Sequence, residues 1–342
     1  MYLINETKGF MKRYLQATTL TLAVLFIFFL SIFPACRKST SGSEVARGFN
    51  VNIVRDIKYG SNENWLGKTE DLYLDVYMPI TQDPKQTYPL VLFVHGGGFQ
   101  TGDKAPASTY MKAFAASGYV GVAINYRLGW TNDNASDCSG DTTEQKEAAY
   151  RAIQDTKAAL RFMVANAAKY HIDTNHIFMS GSSAGAVTVL NAQFLTQAQY
   201  NSIIPGVAVK LGGVDNADNA LTNTYTIKGI CGVSGCVVDS DVVNSSNAVP
   251  LILFHGGQDE AVPPGHGYAH GCPNMLMVDG SVSVYNRMAD LGKPCVLHFD
   301  PLQGHIPFTD EFRFNNTLCF FNSILNEQVE TGIYQGNESS CP

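Results

Sequence analysis

Ile177-Phe178-Met179-Ser180-Gly181-Ser182-Ser183-Ala184-Gly185 is the stretch on which the fold turns. Its first residues form a short apolar run of the kind that makes a buried strand, and Ala186 to Leu195 behind it reads as a helix. The Gly-Ser-Ser-Ala-Gly segment therefore falls at a strand-to-helix turn. Glycine and serine are common, so the pattern alone says little. At a tight reversal its glycines acquire a purpose, because small neighbours leave the side chain of Ser183 exposed at the apex.

Outward from that turn, short β-rich runs alternate with helical stretches and no internal repeat is visible, the pattern of a mostly parallel central sheet flanked by helices on both faces. Leu72 to Met78 alternates apolar and polar residues before Pro79, as a half-exposed strand does. Leu90 to Val94 and Tyr119 to Ile124 are continuous apolar runs that suit strands buried on both faces. Asp141 followed by Glu144 makes a capping-box-like start to a long helix whose apolar positions run from Ala149 to Ala167 in steps of three and four. Val207 to Leu211, Pro250 to His255 and Val296 to Phe299 are expected strands, and Val282 to Leu291 and Phe312 to Leu325 expected helices. Tyr126 to Gly140 and Val214 to Val249 are polar and are expected to form loops over the C-terminal edge of the sheet.

A serine hydroxyl needs a base to take its proton, an acid to orient that base, and donors for the oxyanion. His95-Gly96-Gly97-Gly98-Phe99 directly follows the strand Leu90 to Val94, and successive glycines there let backbone N–H groups converge on a negative charge. Gly97 and Gly98, with Ala184 behind the nucleophile, are the expected donors. Asp259 stands just beyond a buried strand, with Glu260 as the rival acid, and His305 lies in the loop beyond the last strand. The order Ser183, Asp259, His305 matches this architecture. His95 and His255 read as loop- and turn-shaping residues, His298 as a packing residue inside a strand, and Phe99 and Trp130 as packing or wall residues. Arg151 and Asp155, one helical turn apart, read as a structural ion pair.

Taken together, the Leu74-to-Pro79 strand, the HGGGF loop, Asn125-Tyr126-Arg127, the Tyr150-to-Asp155 helix and GSSAG resemble an α/β-hydrolase of the carboxylesterase type, near the hormone-sensitive-lipase-like and feruloyl-esterase-like groups. The resemblance covers about Leu72 to Leu325. It implies Ser183 as nucleophile, His305 as base, Asp259 as acid, and Gly97, Gly98 and Ala184 as oxyanion donors. No cofactor or metal is implied, and the substrate is a small ester or an esterified polysaccharide. Val214 to Val249 fits no recognised cap. An inactive binding protein of the same fold is the non-enzyme alternative; it should lack a triad member or an intact glycine loop, and neither defect is present.

The N-terminus carries an address. Lys8, Lys12 and Arg13 precede an apolar run from Leu20 to Phe33 and then Cys36, which reads as an export signal over residues 1–35. Phe33-Pro34-Ala35-Cys36 resembles a lipoprotein box, so lipidation of Cys36 is expected, with residues 36–48 as a tether and 49–342 as the catalytic domain. The protein is then exported to the cell envelope as an outer-membrane lipoprotein held by that anchor, or else is periplasmic or secreted. An exported chain with eight cysteines admits disulfides: Cys231 with Cys236 and Cys319 with Cys341 are readable options, without a derivable connectivity. Pro263 to Gly271 is an irregular loop, so His266, His270 and Cys272 are not expected to bind zinc. With 23 basic and 30 acidic residues and no long charge run, the chain shows no footprint for nucleic acid.

Overall fold

The computed structural model describes residues 48–131 and 138–341. The expected signal, tether and Cys36 lie outside the described residues. A nine-stranded sheet runs in the order β1-β2-β4-β3-β5-β6-β8-β11-β12. Its strands are β1 (Val51–Glu63), β2 (Thr69–Pro79), β3 (Tyr88–Val94), β4 (Val120–Ile124), β5 (Ile172–Ser182), β6 (Ile227–Val233), β8 (Leu251–Gly256), β11 (Cys295–Asp300) and β12 (Gly332–Gln335). The β1–β2 and β2–β4 pairings are antiparallel, and every pairing from β4 to β12 is parallel.

The side-chain alternation of the central strands divides the core between two layers. Leu90, Leu92, Met179, Ile230 and Leu253 face the layer that contains α2 (Thr142–Ala165), α3 (Ala184–Phe194) and α6 (Ser281–Asp290). Val91, Phe178, Cys231, Ile252 and Phe254 face α1 (Ser108–Ala116) and α7 (Asp310–Leu325) on the other side. Burial on both faces is why these strands read as continuous apolar runs. Truncating a fully buried member such as Leu253 to alanine would cost about 2–5 kcal/mol. The helices start where the sequence supplies caps: Asp141 accepts from the N–H groups of Thr143 and Glu144, and Thr309 accepts from that of Phe312.

Two expectations are corrected. Val207–Leu211 is not a strand but a short helix, α5, bracketed by Gly206 and Gly212 with positive φ, and Val209 within it is 94% exposed. The short α4 (Gln197–Ile203) precedes it. Val214 to Val249 is not all loop, because it contains the central strand β6 and the short β7 (Cys236–Val237). The apolar signal of β6 is diluted by Lys228, Gly229 and Gly232 for a packing reason. A Cβ on Gly229 would meet Ile324 of α7 at 2.6 Å, and one on Gly232 would meet Leu253 at 3.2 Å.

A second sheet pairs β7, β10 (Met277–Gly280) and β9 (His266–Tyr268). Cys272, beyond β9, is disulfide-bonded to Cys138 at the near end of α2, a pairing 134 residues apart that spacing does not reveal. The Cys319–Cys341 bridge ties the chain's tail to α7, one of the two options read from the sequence. Cys231 and Cys236 do not pair; both are buried free thiols.

Candidate active site

Strand β5 enters the turn and α3 leaves it, with Ser183 between them at φ 51° and ψ −124°. A non-glycine residue in this region carries backbone strain of about 1–3 kcal/mol, which surrounding contacts must hold in place. They do: the Ser183 N–H donates to the Val233 carbonyl at 2.8 Å. A Cβ on Gly181 would lie 2.4 Å from the Gly185 carbonyl, and one on Gly185 would lie 2.0 Å from the Val94 oxygen. Both glycines are thus required by close approach, and the strained serine is held at the C-terminal edge of the sheet.

The glycine loop after β3 passes beside it. A Cβ on Gly96 would fall 3.2 Å from that of Ser183. Gly97 has φ 114° and its carbonyl accepts from the N–H groups of Gln100 and Thr101, closing a turn that directs the loop back. Trp130 Nε1 donates to the Gly98 carbonyl at 2.8 Å, and Tyr126 donates its hydroxyl to the His95 carbonyl at 3.0 Å. His95 donates through Nδ1 to the Gly96 carbonyl at 2.7 Å, stacks on Tyr126, and has its pKa lowered by burial, so it is a neutral brace for the loop. Ala184 is the first residue of α3, where a backbone N–H has no acceptor within the helix.

The three residues singled out from chain order come together. His305 Nε2 is 2.8 Å from Ser183 Oγ, and His305 Nδ1 donates to Asp259 Oδ2 at 2.8 Å. The loop of His305 is pinned by the Ile306 N–H donating to Ser234 Oγ at 3.1 Å and by the Gln258 N–H donating to the Gln303 carbonyl at 2.9 Å. Asp259 is buried, which by itself would raise its pKa. Hydrogen bonds from His255, His305 and the Val262 N–H outweigh that penalty and hold the carboxyl well below the usual carboxylate range. The second oxygen accepts from the N–H groups of Ala261 and Val262, each at 2.9 Å. Glu260 makes no such contact with His305.

His255 was read from sequence as turn-shaping, and the structure gives it more to do. It is fully buried, with Nε2 3.2 Å from Asp259 Oδ2 and 3.0 Å from the Val262 carbonyl, and Nδ1 2.7 Å from Ser281 Oγ. It does not approach Ser183; it is a second histidine on Asp259. The sequence signal was available in the four-residue spacing of His255 and Asp259 around two glycines.

Other readings resolve by geometry. Arg151 and Asp155 do not pair: Arg151 Nη2 donates to the Gly129 carbonyl, while Asp155 is bonded by Arg127 through Nε at 2.9 Å and through its backbone N–H at 2.6 Å. Arg127 also lies 3.0 Å from Asp218. His298 stacks on Phe254 in the core. Cys272 is consumed by its disulfide, and His266 is hydrogen-bonded to Asp279 at 2.7 Å.

The chain is similar in sequence and fold to known proteins. The family model described as BD-FAE matches residues 74–237. Fumonisin B1 esterase of Sphingopyxis macrogoltabida is 27% identical over 191 residues, covering 54% of this chain and 35% of that protein. Neuroligin-like protein glit-1 of Caenorhabditis elegans is 30% identical over 145 residues, covering 42% of this chain and 18% of its own length. The chain thus spans well under two thirds of these curated relatives. Among solved structures, a truncated carbohydrate esterase from gut microbiota superposes with a TM-score of 0.55 at 20% identity, covering 82% of this chain and 98% of that one. Thermogutta terrifontis esterase 2 phosphorylated by paraoxon gives 0.52 at 18%, covering 84% and 97%. At such identities the superpositions speak to the fold.

Proposed function

We propose that this chain, which has the α/β-hydrolase fold, hydrolyses carboxylic esters through a Ser183–His305–Asp259 triad and an acyl-enzyme. The observation that carries the reading is the unbroken line from Ser183 Oγ through both nitrogens of His305 to Asp259 Oδ2, 2.8 Å at each step.

In this mechanism His305 Nε2 accepts the Ser183 proton as Oγ attacks the ester carbonyl. Asp259 fixes the imidazole tautomer, its own proton capacity suppressed by the donors around it. The oxyanion is held by the N–H groups of Gly97, Gly98 and Ala184. The alcohol leaves with the proton from His305, and water repeats the sequence to release the acid and regenerate Ser183. No step calls for a group beyond these residues and water.

A polysaccharide-directed acetyl or feruloyl esterase is the narrower version; a carbohydrate esterase from gut microbiota shares the fold. The test is hydrolysis of a p-nitrophenyl acyl series and of acetylated and feruloylated xylan by the protein and by Ser183→Ala. The reading expects short-ester turnover that falls by about 10⁴-fold or more in the variant. Turnover that survives in Ser183→Ala would sink it.

A further inference from the structure

We infer that a cavity of about 700 Å³ between α1 and the start of α7 receives the neutral apolar group of the ester and turns away negatively charged ones. The inference rests on the esterase reading above.

Continuity with the site is the first argument. The cavity is walled by Gly96, Ser182 and Ile306, the immediate neighbours of the glycine pair, the nucleophile and the base. Gly96 passes so close to the turn that a Cβ placed on it would fall 3.2 Å from Ser183 Cβ and 3.5 Å from Ser182 Oγ, so this stretch of the cavity wall runs beside the nucleophile's turn. Its volume lies within the range of small-molecule pockets and far exceeds what an acetyl group needs.

Its chemistry is the second. Phe93, Tyr110 and Phe314 form an edge-to-face aromatic wall, with Tyr110 5.6 Å from Phe93 and 5.9 Å from Phe314. Such a wall suits an aryl or branched alkyl group. Asp103, Asp310 and Glu311 line the cavity against a single guanidinium, Arg313. That guanidinium is occupied: it pairs with Asp310 and donates to the carbonyls of Pro307 at 2.6 Å and Phe308 at 2.5 Å. His95, the remaining cation candidate on the wall, is kept neutral by burial. The lining therefore has an excess of negative charge, and a carboxylated substrate meets repulsion without a free cation to receive it.

The test uses the full chain with three ethyl esters, of acetic acid, 3-phenylpropanoic acid and its para-carboxylated analogue, together with 3-phenylpropyl acetate, which carries the aromatic group on the alcohol instead. Thr109→Trp, at an exposed lining position, and Ala113→Phe, on α1, each narrow the cavity. In either variant kcat/KM should fall by about tenfold or more for whichever aromatic ester the protein prefers, and by less than about twofold for ethyl acetate. Glu311→Arg should raise activity on the carboxylated ester alone. Equal losses on all esters, or no loss on any, would overturn the inference.

Saturation-transfer NMR with 3-phenylpropanamide separates it from the esterase reading. Amide binding that both narrowing variants abolish, in a protein that cleaves no ester, keeps the cavity and discards the reading. Amide binding that neither variant disturbs discards the cavity.

Discussion

Asp259 and Asp218 are both buried carboxylates beside a cationic or hydrogen-bonding partner, yet they titrate in opposite directions. Asp259 has two imidazoles and two backbone N–H groups around its oxygens, and its pKa is depressed. Asp218 is pushed up to about 8, first by burial and then by the charge of Asp155, with which it shares Arg127. Its Oδ2 is buried without a partner, while Oδ1 receives Asn62 at 2.7 Å. Burial alone therefore does not decide a carboxyl's state; the donors aimed at it and the like charge beside it do. Around Asp259 the donors favour a negative charge beside His305, whereas around Asp218 burial and a neighbouring carboxylate favour the neutral acid.

The largest test of that contrast is Asp259→Asn. It removes the charge that orients His305 and should lower kcat by about 10³–10⁴-fold with little change in KM, read from steady-state kinetics on a short ester. An effect under tenfold would mean that the acid is elsewhere, with Glu260 the first alternative. Because its folded pKa is depressed, the Asp259 carboxylate contributes stability that is present above the unfolded value of about 4 and is lost as pH falls through its lower folded value. Acid denaturation of Asp259→Asn should accordingly be less steep below that pH.

His255→Phe sharpens the comparison by taking one donor away and leaving the carboxylate in place. Losing a hydrogen bond to a charged group should cost about ten- to a hundredfold in kcat, with partial recovery in His255→Gln, which keeps a side-chain N–H donor. Unchanged kinetics in His255→Phe would reduce it to a packing residue.

The smallest effect belongs to Asp218. A raised folded pKa means that the folded protein keeps a proton the unfolded chain has lost, so the residue costs stability progressively as pH rises from about 4 to about 8. Asp218→Asn, which retains an oxygen for Asn62 and suits the left-handed φ of 72°, should raise the melting temperature by on the order of a few degrees at pH 8 and by less at pH 5. A variant whose advantage is the same at both pH values would show that Asp218 does not titrate in this window.

The two regions also differ in how far the sequence disclosed them. Ser183, Asp259 and His305 could be placed because each sits at a strand end, where strand and turn signals mark the position, and the structure brings them into one hydrogen-bonded line. The parallel core was legible for the same reason: strands buried on both faces announce themselves. The Arg127 cluster was not. Arg151 and Asp155 at helical spacing suggested a local pair, but Arg127, from the chain after β4, reaches Asp155 across the fold. Strand β6 was hidden because its glycines are set by Ile324 and Leu253 pressing from other elements, and the Cys138–Cys272 pairing depends on two loops meeting in space. Long-range contacts of this kind leave no periodic mark in the chain.

The most direct test of the central claim is intact-protein mass spectrometry after reaction with a fluorinated organophosphonate, followed by peptide mapping. The account predicts one adduct per chain, on the peptide that contains Ser183, with fluoride displaced and labelling abolished in Ser183→Ala and strongly slowed in Asp259→Asn. An unlabelled protein, or an adduct that persists in Ser183→Ala, would contradict it.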